Sequence, residues 1–147
     1  MKIIHAAQGQ LDLLAPLFDQ YRQFYGQPSN PAGARTFLAD RMRAKDSVIF
    51  LALDESGKGL GFVQLYPSFS SVGMKRMWIL NDLFVDSLAR RQGIAEGLVR
   101  QCVRLAQETK SQGLMLETAA DNTPAQKLYE KLGWRREKEF LTFRIDT

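Results

Sequence analysis

The stretch Arg90-Arg91-Gln92-Gly93-Ile94-Ala95 says most about how this chain folds. It joins an apolar segment at residues 78–85, typical of a buried strand, to a segment whose apolar residues recur at helical spacing. The first N–H groups of a helix have no partner within the helix, and the helix dipole adds roughly half a positive charge there. Gly93 keeps the turn free of a side chain, and two arginines precede it. The stretch therefore predicts a binding site for a phosphate or diphosphate.

The spacing of this loop differs from the common nucleotide-binding loops. It contains neither G-x-x-x-x-G-K-[ST] nor G-x-G-x-x-G. Arg90, Gly93 and Ala95 instead follow the order Arg-x-x-Gly-x-Ala, three residues after a strand end that reads Asp-Leu-Phe-Val-Asp. This arrangement resembles the acyl-CoA-binding motif of the GNAT superfamily of N-acyltransferases. Taken alone, the loop is also compatible with a helix start that carries two solvated arginines.

A second motif lies at residues 121–134. There the sequence resembles the family signature Asn-x-x-Ala-x-x-Leu-Tyr-x-Lys-x-Gly-Phe, with Trp134 in place of the phenylalanine. The resemblance extends over roughly the whole chain, and its specific motifs lie between residues 78 and 134.

The bulk properties indicate one globular domain over residues 1–147. Apolar residues make up 45% of the chain and charged residues 24%, and no apolar run is long enough to span a bilayer. The single cysteine fits a reducing cytoplasm. The net charge of +4 is scattered along the chain, which argues against a nucleic-acid partner.

Local patterns predict strands at residues 2–5, 48–53, 60–66, 74–85 and 114–118, and helices that start near residues 11, 32, 94 and 123. Hairpin connections predict antiparallel pairing early in the chain, and strands separated by helices predict parallel pairing later. We therefore expect a mixed α/β fold. Its central sheet would have about seven strands, two of them after the last helix, with helices on both faces.

The resemblance implies that acetyl-CoA is the co-substrate and that its pantetheine arm enters a gap where the fourth and fifth strands diverge. It also implies a β-bulge near residues 81–84, although a fully buried strand would give the same pattern. The residues that would bind the cofactor are Leu83, Phe84, Val85, Arg90, Arg91, Gln92, Gly93, Ile94, Ala95, Asn122 and Tyr129. The only histidine, His5, has no ligand partners at metal-binding spacing, so we expect no metal.

Acylation of an amine requires removal of a proton from the amine and delivery of one to the leaving thiolate. Asp82 interrupts an apolar strand and is the first candidate for the base, with Glu117 second; Asp82 could also simply face substrate or bond a loop. By resemblance, Tyr129 is the acid for the CoA thiolate, although a tyrosine on an apolar helix face is usually part of the core. Thr123 and Pro124 predict the start of that helix. Cys102 lies on an apolar helix face and is expected in the core.

Tyr21, Phe24 and Tyr25 cluster near the end of the first helix and are candidates for binding the acceptor together with Asp82. Aromatic rings beside a carboxylate suit a cationic amine, but such a helix end can also simply pack on the sheet. The segment is loosely similar to diamine and polyamine acetyltransferases. We expect direct acetyl transfer to a primary amine of a small molecule. The alternatives are a protein or peptide acetyltransferase, a non-catalytic CoA-binding module and a basic nucleic-acid-binding domain. The resemblance also implies a homodimer.

Overall fold

The structure is a computed structural model that describes residues 1–147. The chain divides into two compact units, Met1–Leu116 and Glu117–Thr147. The first unit contains, in chain order, β1 (Lys2–His5), α1 (Leu11–Phe24), α2 (Pro31–Ala44), β2 (Val48–Leu53), β3 (Gly59–Ser70), β4 (Lys75–Val85), α3 (Ile94–Glu108) and β5 (Gly113–Met115). The second unit contains α4 (Thr123–Lys131).

The five strands form one mixed sheet in the order β1-β2-β3-β4-β5. The first four strands pair antiparallel, and β4 pairs with β5 in parallel. The predicted mixed α/β fold is therefore confirmed, including the parallel pair. The hairpin of β3 and β4 extends further than its sequence pattern indicates, and β5 ends at Met115 rather than at residue 118.

Helices cover both faces of the sheet, as expected. Under α1 and α2, Leu14, Phe18 and Leu38 form a buried cluster with Leu51 and Phe62 from the sheet. Helix α3 packs on the other face, where its buried residues Leu98, Val99 and Cys102 meet the central strands. It passes so close that a Cβ atom on Gly97 would lie 3.2 Å from the Ile3 side chain of β1.

The expected count of about seven strands is wrong, because residues 132–147 form no strand. In the charged run after α4, the N–H groups of Lys138 and Glu139 donate to Glu137 Oε1, at 2.9 and 3.0 Å. The apolar residues that follow alternate as in a strand but join no ladder in this chain. Alternation shows which side chains share a face, and a strand also requires a neighbour to pair with.

Helix α4 is capped one residue earlier than the sequence indicates. The N-cap is Asn122, whose Oδ1 accepts a hydrogen bond from Ala125 N at 3.2 Å, and not Thr123. Gly133 follows the C-cap Leu132 in a left-handed conformation (φ 90°), which is a common way for a helix to end. No helix in the chain combines the length and apolar character that crossing a bilayer requires.

Candidate active site

Strand β4 contains a bulge at the expected place. Gln64 of β3 faces Asp82 while the next residue, Leu65, faces Leu80, so Asn81 is the extra residue. Because of this extra residue, the side chains of Leu80 and Asp82 lie on opposite faces of the sheet, whereas residues two apart in a regular strand share a face. The bulge therefore turns Asp82 toward the same face as Phe62 and α1, whereas Leu80 lies on the face of Leu65.

Asp82 is almost completely buried, with 4% of its surface exposed. Gln64 Nε2 donates to its Oδ2 atom at 2.6 Å, and Asn81 Nδ2 donates to its Oδ1 atom at 2.9 Å. Each carboxylate oxygen therefore has a fixed partner. A buried carboxylate held in this way stays in one orientation, as a proton acceptor requires.

Gln64 is a candidate site residue that the sequence analysis missed. It is fully buried, and its Oε1 atom has no hydrogen-bond partner. Because the amide must turn its nitrogen toward Asp82, the oxygen is forced to point elsewhere. The available signal was a polar residue between apolar neighbours, Phe62-Val63 before it and Leu65 after it, in strand β3. The side chain of Asn81 could have been noticed in the same way.

Two tyrosines surround Asp82 on the α1 side. The hydroxyl of Tyr21 lies 3.4 Å from the backbone oxygen of Asn81. Burial, together with the negative charge and a hydrogen bond of Asp82, raises the pKa of Tyr21 far above its ordinary value. Burial and the charge of Asp82 raise the pKa of Tyr66 to about 12. Both hydroxyls therefore stay protonated at neutral pH, and that of Tyr21 donates to the backbone oxygen of Asn81.

Of the aromatic residues suggested for the acceptor, the structure brings Tyr21 beside Asp82. Tyr25 packs edge-on against Tyr21, with 5.1 Å between ring centroids, and Phe24 packs against Tyr25 at 5.3 Å. More than half of the surface of both Phe24 and Tyr25 is exposed. The three rings thus run from the buried carboxylate to the protein surface.

The parallel pairing of β4 and β5 is short. It covers Met77 to Ile79 on β4 and ends at the pair Ile79 and Met115. The ladder with β5 ends there because β5 ends at Met115, so the divergence that the resemblance implies stays a prediction. Leu83, Phe84 and Val85 lie on this part of β4, where backbone groups that would otherwise form the ladder can bind an extended ligand. Val85 O also accepts a hydrogen bond from Arg90 Nε at 3.3 Å.

The loop after β4 has the features of an anion site. Its residues Arg91 and Gly93 adopt left-handed conformations (φ 64° and 76°), and Gly93 is the N-cap of α3 without any side-chain cap. A turn of this kind directs successive N–H groups to one side. Gln92 is exposed, Ile94 is buried in the core, and Ala95 is half-buried in the first turn. A Cβ atom on Gly93 would meet nothing within 4 Å, so the space in front of the helix is open.

The charges at this loop also suit a diphosphate. Arg90 and Arg91 are exposed, and the guanidinium of Arg90 lies 6.0 Å from the centroid of the Phe84 ring. The one acidic residue in the first turn of α3 is Glu96, which forms an ion pair with Arg100 at 3.2 Å. The loop, with its uncapped N–H groups and two arginines, therefore fits the diphosphate of coenzyme A.

The remaining candidates belong to the second unit. Tyr129 lies on α4, where its ring contacts Trp134 with 5.6 Å between centroids. Asn122 uses its Oδ1 atom to cap α4, and this leaves its side-chain N–H groups for a ligand. Glu117 is exposed at the start of the unit. Their suggested roles stay predictions.

Cys102 is confirmed as a core residue: it is fully buried in α3, and burial raises the pKa of its thiol to about 12. No group of three or more His, Cys, Asp or Glu side chains is arranged to hold a metal ion.

Comparison with known proteins identifies the family. The model of the acetyltransferase (GNAT) family matches residues 14–134. The chain is 42% identical to the uncharacterized N-acetyltransferase YhfO of Bacillus subtilis, over 97% of this chain and 95% of that protein. It is 40% identical to a probable acetyltransferase of Haemophilus influenzae, over 81% and 82% of the two chains. The crystal structure of a probable acetyltransferase, 49% identical, superposes with a TM-score of 0.95 over 100% of this chain and 98% of that one. The chain is therefore an acetyltransferase of the GNAT family.

Proposed function

We propose that this enzyme transfers the acetyl group of acetyl-CoA to a primary amine of a small molecule, by direct transfer within a ternary complex. GNAT acetyltransferases use acetyl-CoA as their co-substrate. The proposal includes the assignment of residues 1–147 as one catalytic domain. The observation that carries it is the buried carboxylate of Asp82, fixed by Gln64 and Asn81 at the bulge of β4.

In the proposed reaction, Asp82 takes a proton from the acceptor ammonium. The neutral nitrogen then attacks the thioester carbonyl carbon, so that a C–N bond forms, and the C–S bond breaks as the nitrogen releases its second proton to solvent. Tyr129 donates a proton to the departing thiolate and recovers one from solvent, and Asp82 releases its proton to solvent, so that one proton is released overall. Only about one primary amine in 2,500 is neutral at pH 7, so removal of this proton is a substantial part of the catalytic task.

Binding of acetyl-CoA is assigned to the loop and to the unpaired part of β4. The diphosphate would bind the N–H groups of residues 91–95, with Arg90 and Arg91 supplying positive charge. The extended pantetheine arm would pair with the backbone of Leu83, Phe84 and Val85. Asn122 would contribute its side-chain amide. Support comes from the uncapped start of α3 and from the early end of the β4–β5 pairing.

The acceptor is assigned to the side of Asp82 that faces α1. Tyr21, Phe24 and Tyr25 offer aromatic faces to a cationic amine on its way to the carboxylate. Because Asp82 is only 4% exposed, an amine at the end of a slim, unbranched chain reaches it more easily than a hindered one. We therefore favour polyamines, amino acids or similar small primary amines as acceptors.

The proposal is tested by turnover with a panel of amines, with release of free thiol as the signal, in wild-type enzyme and in Asp82→Asn. The panel would contain polyamines, amino acids, aminoglycosides and lysine peptides. Loss of a general base should lower kcat/KM by about 100-fold or more and flatten its rise with pH. Asp86→Asn is the matched control, because it makes the same charge change on the loop after β4.

We expect Asp86→Asn to retain wild-type kcat/KM, since Asn can still cap Leu88 N as Asp86 does, at 2.9 Å. Thermal melts of both variants would separate lost chemistry from lost fold. Equal activity of Asp82→Asn and wild type would contradict the role of Asp82. Turnover of lysine peptides alone would contradict the small-molecule acceptor.

A further inference from the structure

Four buried side-chain atoms on the Asp82 side of the sheet have no hydrogen-bond partner. They are Arg41 Nε, Asp46 Oδ1, Ser47 Oγ and Gln64 Oε1. An unpaired polar atom in the interior costs stability, so native proteins keep few of them. Several such atoms in one place indicate a site that a polar ligand can fill. The mechanism proposed above uses none of the four.

Tyr66 lies at the centre of this group. Gln64 and Tyr66 are two residues apart on β3 and therefore share the face that α1 and α2 cover. Ser47 stands directly before β2, and the pair of Val48 with Leu65 places Ser47 next to Tyr66 at the end of the ladder. Ser47 and Gln64 thus flank the tyrosine on the sheet.

The charges of Arg41 and Asp46 reach the same tyrosine. Burial and the charge of Asp82 raise the pKa of Tyr66 to about 12, against the charge of Arg41 and with that of Asp46. Arg41 Nη1 lies 2.6 Å from Asp46 Oδ2, and 32% and 41% of the two side chains are exposed. The group therefore extends from the proposed base to the protein surface, where rotation of two side chains can admit a ligand.

The free atoms of this group suit a ligand that carries both charges. Arg41 Nε is a cationic donor, Asp46 Oδ1 is an anionic acceptor, and the Ser47 hydroxyl can donate or accept. The α-carboxylate of an amino acid can accept from Arg41 and Ser47, while its α-ammonium donates to Asp46. A polyamine would instead bring a second cation to the guanidinium and leave Arg41 Nε without a partner.

The spacing of the sheet sets the length of such a ligand. Asp82 faces Gln64, Gln64 faces Ile49, and Ser47 is two residues from Ile49 along the chain. Two strand spacings and two residues correspond to about 12 Å between the Cα atoms of Ser47 and Asp82. Side chains at both ends take up part of this distance, and the remainder suits an unbranched linker of a few carbon atoms.

We propose that Arg41, Asp46 and Ser47 form a subsite for the zwitterionic head of an α-amino acid whose terminal amine reaches Asp82. L-Lysine and L-ornithine are acceptors of this chemical class. Gln64 lies between the subsite and Asp82, and its free Oε1 atom can accept an N–H of the terminal ammonium. The inference rests on the proposed function, since it takes Asp82 as the place where the reacting amine binds.

The test is calorimetric titration of the CoA-saturated enzyme with two matched pairs of ligands. Cadaverine is L-lysine without its carboxylate, and putrescine is L-ornithine without its carboxylate. We expect the tighter-binding amino acid to exceed its diamine in affinity by about 30-fold or more, because hydrogen bonds to a charged group are lost with the carboxylate. The values of kcat/KM for the four compounds should follow the same order.

Ser47→Ala removes one donor to the carboxylate. Because the hydroxyl has no partner in the free protein, its loss breaks no hydrogen bond there, and the melting temperature should not fall. We expect this variant to reduce the preference for the amino acid over its diamine by about 10-fold. The control Ser56→Ala removes a hydroxyl in the β2–β3 turn and should leave the preference unchanged.

Equal affinity for amino acid and diamine, or no binding of either, would overturn the inference, and so would a preference that Ser47→Ala leaves intact. Faster turnover of the diamines would overturn it while supporting the proposed function. Amino-acid binding that Ser47→Ala weakens, without acetyl transfer, would support the subsite and contradict the proposed function.

Discussion

The two units of this acetyltransferase hold their candidate residues by different means. In Met1–Leu116, Asp82 is buried in a sheet that is covered on both faces, and two side chains fix its carboxylate. In Glu117–Thr147, Tyr129 and Asn122 lie on a capped helix with no buried residue. Packing and two side-chain hydrogen bonds orient the proposed base, whereas the side chain of Asn122 caps the start of α4. The first unit should therefore respond most strongly to core substitutions and the second to substitution of its helix cap.

The largest expected difference between the units concerns stability. Leu51→Ala removes a fully buried side chain from β2 and should lower the free energy of unfolding by about 2–5 kcal/mol. Leu128→Ala makes the same change on the half-buried face of α4 and should cost less than about 1 kcal/mol. Urea denaturation of the two variants, at equal protein concentration, measures both changes in the free energy of unfolding. Similar losses would show that the second unit is as tightly packed as the first.

The next effect tests the anion loop of the first unit. In Gly93→Trp the indole should cover the N–H groups at the start of α3 and weaken binding of CoA by about 100-fold or more, measured by calorimetry. Gly57→Trp is a matched control. Both glycines have a left-handed backbone and open space around a Cβ atom, and Gly57 lies in the β2–β3 turn. Unchanged affinity in Gly93→Trp, or equal losses in both variants, would refute the assignment of the loop.

The third prediction concerns Tyr129, the proposed acid of the second unit. Tyr129→Phe should lower kcat by about 100-fold, while the affinity for CoA stays near that of wild type. The phenylalanine ring can keep the contact with Trp134, so the helix should be preserved. Thr123→Val, which removes the hydroxyl of an exposed residue in the first turn of the same helix, serves as the control. Wild-type turnover in Tyr129→Phe would exclude the acid role.

The last prediction changes the structure least and compares how fast a thiol reacts in each of the two units. Because burial raises the pKa of Cys102 from 9.0 to about 12, its thiolate population near pH 8 falls by about 1,000-fold. A thiol reagent should label wild type only after unfolding, whereas Thr142→Cys should react at once in the native state. The raised pKa stabilises the fold below pH 9, and this contribution is lost as the pH rises from 9 to 12. Rapid native labelling of Cys102 would show that α3 opens readily.

The sequence allowed much of this architecture to be predicted because the signals are local. Residues 2–5 and 48–53 were predicted with the bounds that the structure has, since short apolar runs between breakers define strands. The loop before α3 was recognisable because a glycine and a helix start stand next to each other in the chain. The interrupted alternation of β4 indicated a bulge, and the structure confirms it at Asn81.

Other features depended on partners that are distant in sequence. The bond from Gln64 to Asp82 joins two strands through a register that the bulge sets, and no local pattern encodes that register. Thr123 looked like the cap of α4, but the backbone placed Asn122 there instead. The two strands expected after α4 are missing, because alternation of side chains in residues 140–146 does not by itself make a strand.

The order of elements as far as α4, the family and the types of the candidate residues were thus determined by the sequence itself, since they follow from side-chain periodicity, turn residues and motif spacing. The tertiary structure alone decided which oxygen of Asp82 meets which donor, how far β4 and β5 pair, and which apolar residues stay exposed. Those outcomes depend on strand register and packing between distant segments, where a shift of one residue reverses the face of every side chain.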